Sequence, residues 1–425
     1  MSAFDKVIGY ETIKNELTRI CDMVRNRKAY EELGAKLPQG ILIYGEPGLG
    51  KTLLANCLIE ESGLPAYTLR RDKKGDDFVE RITDTFAEAR KNAPAVVFLD
   101  DLDKFANEDA NHRDAEEYVA VQAGIDASKG TEVLVIATAN DVRKLPDSLK
   151  RSGRFDRKIE LWWPNDKDAR EIIRYYLSDK KVAGDVDVED LAAMLRYSSC
   201  ADLETVLNEA AIVAAGQRKD RIGMQDLVES VLRMQYNSPD DDAEISYEGM
   251  RSVAMHEAGH LVASEVLFPG SVGLASVRSQ GRDERGGFTR RCTDLPNRRS
   301  QILVALAGKA AVEMHSAETC ASGCGSDIHA AAYLIRGGLA ENATGGFVTV
   351  DVDTRGDGLS ETLNARTETA VQAELERYLM KAKDLLLKNK DFLEQAAEAL
   401  AEKKTLLHSD IRKLRESAQI VRVEL

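Results

Sequence analysis

The sequence lacks the features that mark membrane, secreted and nucleic-acid-binding proteins. No stretch approaches the roughly 18 consecutive apolar residues of a membrane span, and the N-terminal segment MSAFDKVIGYETIKNEL lacks the hydrophobic core of a signal peptide. The formal net charge of −14 argues against a general binder of nucleic acid or anionic membranes, because such proteins need a basic face. We therefore expect a soluble, cytoplasmic protein that binds no nucleic acid and spans no membrane.

Paired cysteine motifs are also missing. The six cysteines stand at positions 21, 57, 200, 292, 320 and 324 without CxxC spacing, so most are predicted to be free thiols in a reducing compartment. Cys320 and Cys324 form the one close pair. A metal site at this pair is the less favoured alternative.

The 425 residues divide into regions of different pattern. Up to residue 163, β-rich runs (ILIYG, AVVFLD and VLVIATA) alternate with helical patterns, which predicts an α/β fold with a parallel sheet and flanking helices. Residues 164–236 are typical of a small all-helix domain, and the acidic, proline-containing start of 237–248 is typical of a linker. Residues 249–425 are predicted to form a mainly α domain that ends in a helical hairpin between about 360 and 407.

The segment GEPGLGKT follows the predicted strand ILIY and precedes a predicted helix. This order suits a phosphate-binding loop, whose glycines turn backbone N–H groups toward a β-phosphate. Lys51 is expected to reach the β and γ oxygens, Thr52 to coordinate Mg²⁺, and Glu46 to point outward. The predicted nucleotide-binding residues are Gly45, Glu46, Pro47, Gly48, Leu49, Gly50, Lys51 and Thr52.

Polar residues at two further strand ends would complete a nucleotidase site. The buried run AVVFL is followed by Asp100, expected to hold the magnesium through water, and by Asp101, expected to orient and deprotonate the attacking water. The run VLVIATA is followed by Asn140, whose amide is placed to touch the γ-phosphate or its water.

Arg151 and Arg154 lie on one short segment, LKRSGRFDRKIEL, after this last strand. Because Lys51 already serves the phosphates of its own chain, these arginines are predicted to reach the nucleotide of a neighbouring subunit. That arrangement predicts a ring.

The second chemical signal is HEAGH, residues 256–260, an HExxH pattern. With about 3.6 residues per helical turn, His256 and His260 share one face and can hold one metal ion. Catalytic zinc takes three protein ligands and a water, and Glu257 is placed to act as general base. A metzincin ligand set is excluded, because Ala263 and Val266 stand where that pattern needs glycine and histidine.

The third zinc ligand must come from elsewhere in the chain. The candidates are the downstream carboxylates and histidines Glu265, Glu313, His315, Asp327 and His329. Asp327 opens a helical pattern, and there it can equally be a helix N-cap.

In the order and content of its motifs, the chain resembles the FtsH-type ATP-dependent zinc metalloproteases. The segments that carry the resemblance are FDKVIGYETIKNEL, GEPGLGKT, ARKNAPAVVFLDDLD, RSGRFDRKIEL, ADLETVLNEAAIVAA, HEAGH, LAGKAAVEM and SGCGSDIHAA. The resemblance implies an AAA+ nucleotide-binding subdomain in 1–163, an AAA+ helical lid in 164–236 and a zinc metallopeptidase domain in 249–425. It also implies a homohexamer that uses ATP, Mg²⁺ and Zn²⁺, hydrolyses ATP between subunits and pulls polypeptide through its pore to the peptidase sites.

The resemblance also implies roles for single residues. Asp327, within SGCGSDI, matches the family's third zinc ligand. Glu313 is the alternative third ligand, and is otherwise expected to be an outer partner of a ligand histidine. Asn140 is implied to be the sensor, and Arg151 and Arg154 to be the trans-acting arginine fingers.

RGGFTRRC, residues 285–292, falls where the family places an edge strand that pairs with extended peptide. Its three arginines, Arg285, Arg290 and Arg291, would favour acidic substrates. An equally supported alternative is that these arginines are solvated charges that keep an exposed edge strand from aggregating.

Three features depart from the family. Asp101 stands where the family has glutamate, and a misplacement near 1 Å can lower a rate on the order of 10²-fold. The aromatic pore loop is replaced by RRDKKGDDF, whose nearest match is Lys73, Lys74 and Gly75. The family's transmembrane anchor is absent from the sequence, which is expected either for a soluble relative or for a chain from which the anchor has been removed.

The predicted function is an ATP-dependent zinc endopeptidase that engages, unfolds and degrades polypeptides. One alternative is a nucleotide-gated remodeller or scaffold with weak ATPase activity and little threading. The other is a zinc peptidase that cuts unfolded peptides without ATP. The intact HEAGH motif favours the first interpretation, whereas Asp101 and the lysine-rich loop favour the alternatives.

Overall fold

The computed structural model describes most of the chain. The described residues are 2–71, 77–107, 115–238, 247–280, 286–316, 323–344, 346 and 361–423. Residues 73–75 of the lysine-rich loop, Arg285 and Cys320 lie outside them. No helix in the described part of the chain is long and apolar enough to cross a membrane.

Two compact units make up the chain. One consists of Met1–Asp179 and Tyr197–Thr205, and the other of Lys180–Arg196 and Val206–Leu425. The domain boundaries expected from the sequence stay predictions.

A five-stranded parallel sheet forms the centre of the first unit. Its strands are β1 (Gly40–Tyr44), β2 (Ala66–Leu69), β3 (Ala95–Leu99), β4 (Val133–Ala139) and β5 (Arg157–Glu160), in the order β2-β3-β4-β1-β5. Every strand pairing is parallel. The carboxyl ends of the strands therefore share one edge of the sheet, where the loops after β1, β3 and β4 meet.

Helices cover both faces of this sheet. The helices within residues 1–179 are α1 (Glu11–Arg25), α2 (Arg27–Glu32), α3 (Lys51–Ser62), α4 (Phe78–Lys91), α5 (Ala115–Ala127) and α6 (Asp166–Leu177). Of these, α1, α3, α4 and α5 contribute side chains to the cores on the two faces. Side chains alternate along β3: Val97 and Leu99 pack with α4 and α5, whereas Val96 and Phe98 pack with α1 and α3. Burial on both faces explains why the strand runs are apolar throughout.

The second unit is mainly helical. Its helices are α7 (Val188–Met194), α8 (Cys200–Gly216, whose first residues belong to the first unit), α9 (Met224–Gln235), α10 (Tyr247–Leu267), α11 (Arg298–Ser316), α12 (Gly325–Asn342), α13 (Glu361–Lys388), α14 (Lys390–Lys403) and α15 (His408–Ser417). A small antiparallel sheet has the order β7-β6-β8, formed by β6 (Val272–Ser276), β7 (Phe288–Arg291) and β8 (Thr405–Leu407).

Small residues bring the central helices of the second unit close together. Ala258 of α10 and Ala307 and Ala311 of α11 are fully buried in a core to which α13 and α14 also contribute. The consecutive helices α13 and α14 occupy the segment predicted to be a helical hairpin. The predicted parallel sheet with flanking helices and the mainly α C-terminal region are confirmed.

Candidate active sites

The predicted phosphate loop connects the end of β1 to the start of α3. Gly45, Gly48 and Gly50 have φ angles of 146°, 79° and 86°, a backbone conformation that residues with a side chain rarely adopt. This conformation lets the loop turn its backbone N–H groups inward, beside the N-terminus of α3. A helix N-terminus favours the binding of anions. Within the loop, the Glu46 side chain is exposed and Leu49 is buried.

Lys51 and Thr52 are the first two residues of α3. The Lys51 ammonium group donates a hydrogen bond to the Glu46 carbonyl oxygen at 2.7 Å. Burial lowers the pKa of Lys51, against the attraction of the nearby carboxylates. The Thr52 hydroxyl donates to Asp100 Oδ1 at 3.0 Å, so the two residues expected to hold magnesium lie side by side.

The two carboxylates after β3 have different surroundings. Asp100 is buried, and its Oδ1 also accepts a hydrogen bond from Thr138 Oγ1 at 2.7 Å. Asp101 has a positive φ of 55°; its Oδ1 accepts from the Asn140 amide at 3.2 Å and its Oδ2 from Lys104 Nζ at 2.7 Å. A non-glycine residue with positive φ is uncommon, and such residues cluster at functional sites.

Sequence reasoning missed two charged residues at this sheet edge. The Arg70 guanidinium group, directly after β2, lies 3.3 Å from Asp100 Oδ2 and 3.9 Å from Asp101 Oδ2. Asp103 is buried and accepts the backbone N–H group of Asn140 at 3.0 Å, which fixes the end of β4 beside the carboxylates. Arg70 could have been predicted to lie at this site, because it follows directly on a strand of the parallel sheet, at the strand's carboxyl end.

Arg151 and Arg154 stand between β4 and β5 in different environments. Arg151 is exposed. Arg154 is half-buried and binds Asp126 of its own chain, with Nη2 at 2.7 Å from Oδ2 and Nε at 3.3 Å from Oδ1. The role of both residues as trans-acting arginine fingers stays a prediction.

His256, His260 and Asp327 form the one group of three potential metal ligands within the described residues. α10 carries both histidines, and the first turn of α12 carries the aspartate. The histidine Nε2 atoms are 3.1 Å apart, and Asp327 Oδ2 lies 3.1 Å from that of His256 and 3.3 Å from that of His260. Ligands at about 2.0–2.2 Å from a tetrahedral zinc ion lie roughly 3.3–3.6 Å apart, so the three atoms fit zinc after a small outward shift.

Hydrogen bonds orient the side chains of this ligand group and shift the pKa values of His260 and Asp327. His260 Nδ1 lies 2.7 Å from the Val304 carbonyl oxygen, which turns the Nε2 atom toward Asp327. Burial disfavours the charged imidazole, but the hydrogen bond to Asp327 and nearby negative charge outweigh it and raise the pKa of His260 to about 9. Burial also acts against the charge of Asp327, yet hydrogen bonds from both histidines hold its pKa well below its usual range. An anionic oxygen facing two imidazole nitrogens is a donor set that suits zinc.

Gly308 of α11 lies against the ligand nitrogens. A Cβ atom at this position would be 2.5 Å from His260 Nε2 and 2.6 Å from His256 Cε1. Any side chain here would therefore displace the histidines. The role of Gly308 depends on how α11 packs against α10, so no local sequence pattern signals it.

Glu257 is buried beside the ligand group, with 3% of its surface exposed. Its Oε2 accepts a hydrogen bond from Thr289 Oγ1 of β7 at 2.8 Å. Burial raises the pKa of Glu257, against the attraction of the two histidines. A raised pKa makes a carboxylate a stronger base, as general base catalysis requires.

The other candidates for the third ligand lie elsewhere. Glu313 pairs with two lysines at 2.6 and 2.7 Å, and Glu265 accepts two backbone N–H groups at 2.8 and 2.9 Å. His315 and His329 are exposed. Asp327 is the one candidate that the structure brings to the two histidines of HEAGH.

β7 is an edge strand of the small sheet, and its Thr289 contacts the buried glutamate of HEAGH. Arg290 of this strand lies over the rings of Tyr236 and Phe288, with its guanidinium carbon 5.5 and 5.7 Å from the ring centres. The guanidinium charge of Arg290 therefore makes cation–π contacts with both rings. Pairing of peptide along β7 stays a prediction.

Similarity to known proteins extends along nearly the whole chain. Residues 41–162 match the family model of the ATPase family associated with various cellular activities (AAA). The ATP-dependent zinc metalloprotease FtsH 3 of Symbiobacterium thermophilum is 32% identical over 455 residues, covering 97% of this chain and 71% of that protein. The chain belongs to the FtsH family.

Two further FtsH proteins show the same extent of similarity. FtsH 2 of Symbiobacterium thermophilum is 32% identical over 442 residues, covering 97% of this chain and 74% of that protein. FtsH of Streptobacillus moniliformis is 32% identical over 442 residues, covering 97% and 64%. The chain thus spans 64–74% of the length of these FtsH relatives.

Asp101, predicted from the family resemblance to replace a glutamate, has both of its carboxylate oxygens hydrogen-bonded, to Asn140 and Lys104. The replacement of glutamate stays a prediction.

Proposed function

We propose that this chain is an ATP-dependent zinc endopeptidase that engages, unfolds and degrades polypeptides. The observation that carries the proposal is the group of His256, His260 and Asp327, whose ligand atoms lie 3.1–3.3 Å apart, beside the buried Glu257. Three ligands with an adjacent carboxylate are the pattern of a hydrolytic zinc site. Membership in the FtsH family does not favour the two alternatives, a remodeller with weak ATPase activity and a zinc peptidase independent of ATP.

The peptidase residues have separate tasks. The three ligand side chains would hold Zn²⁺, which when bound acidifies water and polarises a carbonyl group. Glu257, held by Thr289 at 2.8 Å, accepts a proton from the attacking water and passes it to the departing amine. Gly308 leaves room for the ligand nitrogens.

The ATPase residues lie along the carboxyl edge of the parallel sheet. Lys51 and the phosphate loop would bind the β and γ phosphates, and Thr52 and Asp100, in contact at 3.0 Å, would hold Mg²⁺. Asp101 orients the attacking water and accepts its proton. Asn140, at 3.2 Å from Asp101, senses the γ-phosphate.

The chain is proposed to act as a homohexamer in which Arg151 and Arg154 reach the nucleotide of the neighbouring subunit. Membership in the family supports an oligomer that acts on polypeptides, and the exposure of Arg151 supports its role. The number of subunits and the cytoplasmic location stay predictions.

Casein cleavage combined with metal analysis tests the proposal. Wild type is expected to carry one zinc ion per chain and to cut casein, whereas Glu257→Gln should keep its zinc and lose about 10²–10⁴-fold in rate. His256→Ala and Asp327→Ala should both lose zinc. Equal inactivity of wild type and Glu257→Gln with zinc bound would reject the protease function, and full zinc retention by Asp327→Ala would reject the ligand set.

A further inference from the structure

The two ligand histidines hold their second ring nitrogens in different ways. Both Nε2 atoms face Asp327 Oδ2, so the Nδ1 atom of each ring is directed away from it. His260 Nδ1 contacts the Val304 carbonyl oxygen at 2.7 Å. The Nδ1 atom of His256 instead contacts the thiol sulfur of Cys324 at 3.8 Å. Because metal-binding histidines almost always donate the N–H of their second nitrogen to a fixed partner, Cys324 takes that place for His256.

Cys324 is held at the start of the helix that also supplies the third ligand. It is the N-cap residue of α12, and its carbonyl oxygen accepts the N–H group of Ile328 at 3.1 Å. Asp327 lies in the first turn of the same helix and contacts His256 Nε2 at 3.1 Å. The beginning of α12 therefore contacts both nitrogens of one imidazole ring, Nε2 through a carboxylate and Nδ1 through a thiol.

The contact between the thiol and the ring is shielded from water. Cys324 is 2% exposed, and the side chain of His256 is 14% exposed. Sulfur is a weak acceptor, but an N–H group that loses its acceptor in a buried place stays unpaired. Removing the sulfur therefore leaves the ring free to turn about its side-chain bonds.

The same geometry indicates that Cys324 orients a ligand and is not one itself. Its sulfur faces Nδ1, whereas Asp327 and His260 face Nε2 of the same ring. The group of potential metal ligands found among the described residues consists of two histidines and an aspartate, without a cysteine. Cys324 thus acts on the metal site through His256.

We propose that Cys324 is a positioning residue of the peptidase site, whose sulfur accepts the Nδ1–H of His256 and holds the ring with Nε2 toward Asp327. This role rests on the proposed zinc peptidase and adds a residue beyond the three ligands and Glu257. When Nε2 serves as the metal ligand, the ring hydrogen is on Nδ1, and the sulfur stabilises that tautomer. Loss of the sulfur should weaken metal binding although the ligands themselves are unchanged.

Zinc affinity, measured on the full chain by competition with a chromogenic chelator, tests the role. Cys324→Ala should bind zinc about 10-fold more weakly than wild type, because the Nδ1–H group loses its acceptor. Cys324→Ser keeps an acceptor on a shorter bond and should fall between the two. Cys292→Ala removes a thiol of the same unit whose sulfur contacts the Gly270 carbonyl oxygen at 3.4 Å, and should bind zinc like wild type. Wild-type affinity in Cys324→Ala would overturn the inference.

Cobalt substitution shows whether the sulfur orients a ligand or is one. With Co²⁺ in place of zinc, wild type should show the visible absorption bands of a tetrahedral site without a thiolate-to-cobalt charge-transfer band. Cys324→Ala should change the visible bands, because the His256 ring reorients. A charge-transfer band that disappears in Cys324→Ala would make Cys324 a ligand and overturn the positioning role.

Denaturant unfolding with and without zinc separates positioning from packing. A thiol that only fills space would stabilise the zinc-free and the zinc-bound protein equally. A positioning thiol predicts that a fixed free zinc concentration raises the unfolding midpoint of Cys324→Ala less than that of wild type, because the affinity is lower. Equal zinc-induced increases in both proteins would reject the role.

Two outcomes keep the proposed function and the role of Cys324 apart. Wild type that binds zinc but cuts no casein would reject the peptidase function, while the zinc affinity of Cys324→Ala still decides the role of the thiol. Wild type that cuts casein, beside a Cys324→Ala variant with unchanged zinc affinity, would reject only the positioning role.

Discussion

At the scale of single residues, Asp101 and Gly308 each set the geometry of one site. Asp101 places its carboxylate within hydrogen-bond distance of Asn140 and Lys104, at 3.2 and 2.7 Å. Gly308 leaves space that a Cβ atom would take from the histidine nitrogens at 2.5–2.7 Å. A misplacement of about 1 Å is enough to lower a catalytic rate, and residues that position metal ligands affect metal affinity.

Lengthening Asp101 is expected to speed ATP hydrolysis. Asp101→Glu advances the carboxylate by one carbon–carbon bond toward the attacking water and should raise kcat by about 10-fold, up to the order of 10²-fold, measured as phosphate release. Asp101→Asn keeps the length but removes the base and should be nearly inactive. An inactive Asp101→Asn beside an unimproved Asp101→Glu would show that side-chain length does not limit the rate.

A methyl group at Gly308 is expected to weaken zinc binding. Gly308→Ala should lower zinc affinity by about 10- to 100-fold, measured by competition with a chromogenic chelator, because the histidine rings must move. Gly337→Ala is a matched control in helix α12, since a Cβ atom there would meet its nearest neighbour at an ordinary 3.6 Å. Wild-type zinc affinity in Gly308→Ala would refute the steric argument.

At the scale of elements, the metal site joins helices that are distant in the chain. His256 of α10 and Asp327 of α12 are 71 residues apart in sequence, and α11 contributes Gly308 between them. β7 adds Thr289, which holds Glu257. Four elements of one unit therefore build a single site.

Removing zinc is therefore expected to destabilise the second unit. A metal that binds only the native state stabilises it by about 2.7 kcal/mol when free zinc is 100 times the Kd. Chelation should lower the unfolding temperature in calorimetry, and added zinc should restore it. His256→Ala should not respond to the chelator; an equal response in that variant would place the stabilising metal elsewhere.

How far the sequence predicts these elements depends on whether a feature is local. The spacing of HEAGH placed His256 and His260 on one helix face, and the strand, loop and helix around GEPGLGKT were confirmed. Spacing left the third ligand open among five residues, and only the family resemblance pointed to Asp327. The sequence did not predict the roles of Gly308 and Thr289 or the partner of Arg154. Each depends on a contact between packed elements, and such contacts leave no periodic pattern in the sequence.

At the scale of the whole molecule, the described residues of each unit carry a predicted chemical site. The first has the phosphate loop and carboxylates along the edge of a parallel sheet, and the second has the proposed metal ligands between helices. Each site can be disabled alone, by Lys51→Ala or by Glu257→Gln. These two variants therefore separate ATP use from peptide cleavage.

Degradation of a folded protein with an unstructured tail, compared with casein, tests the coupling of the two sites most directly. Wild type with ATP is predicted to degrade both substrates, and Glu257→Gln neither. Lys51→Ala should lose the folded substrate by about 10²-fold or more while still cutting some casein, because only unfolding requires the bound phosphates. If Lys51→Ala degrades the folded substrate as fast as wild type, ATP does not drive proteolysis in this protein.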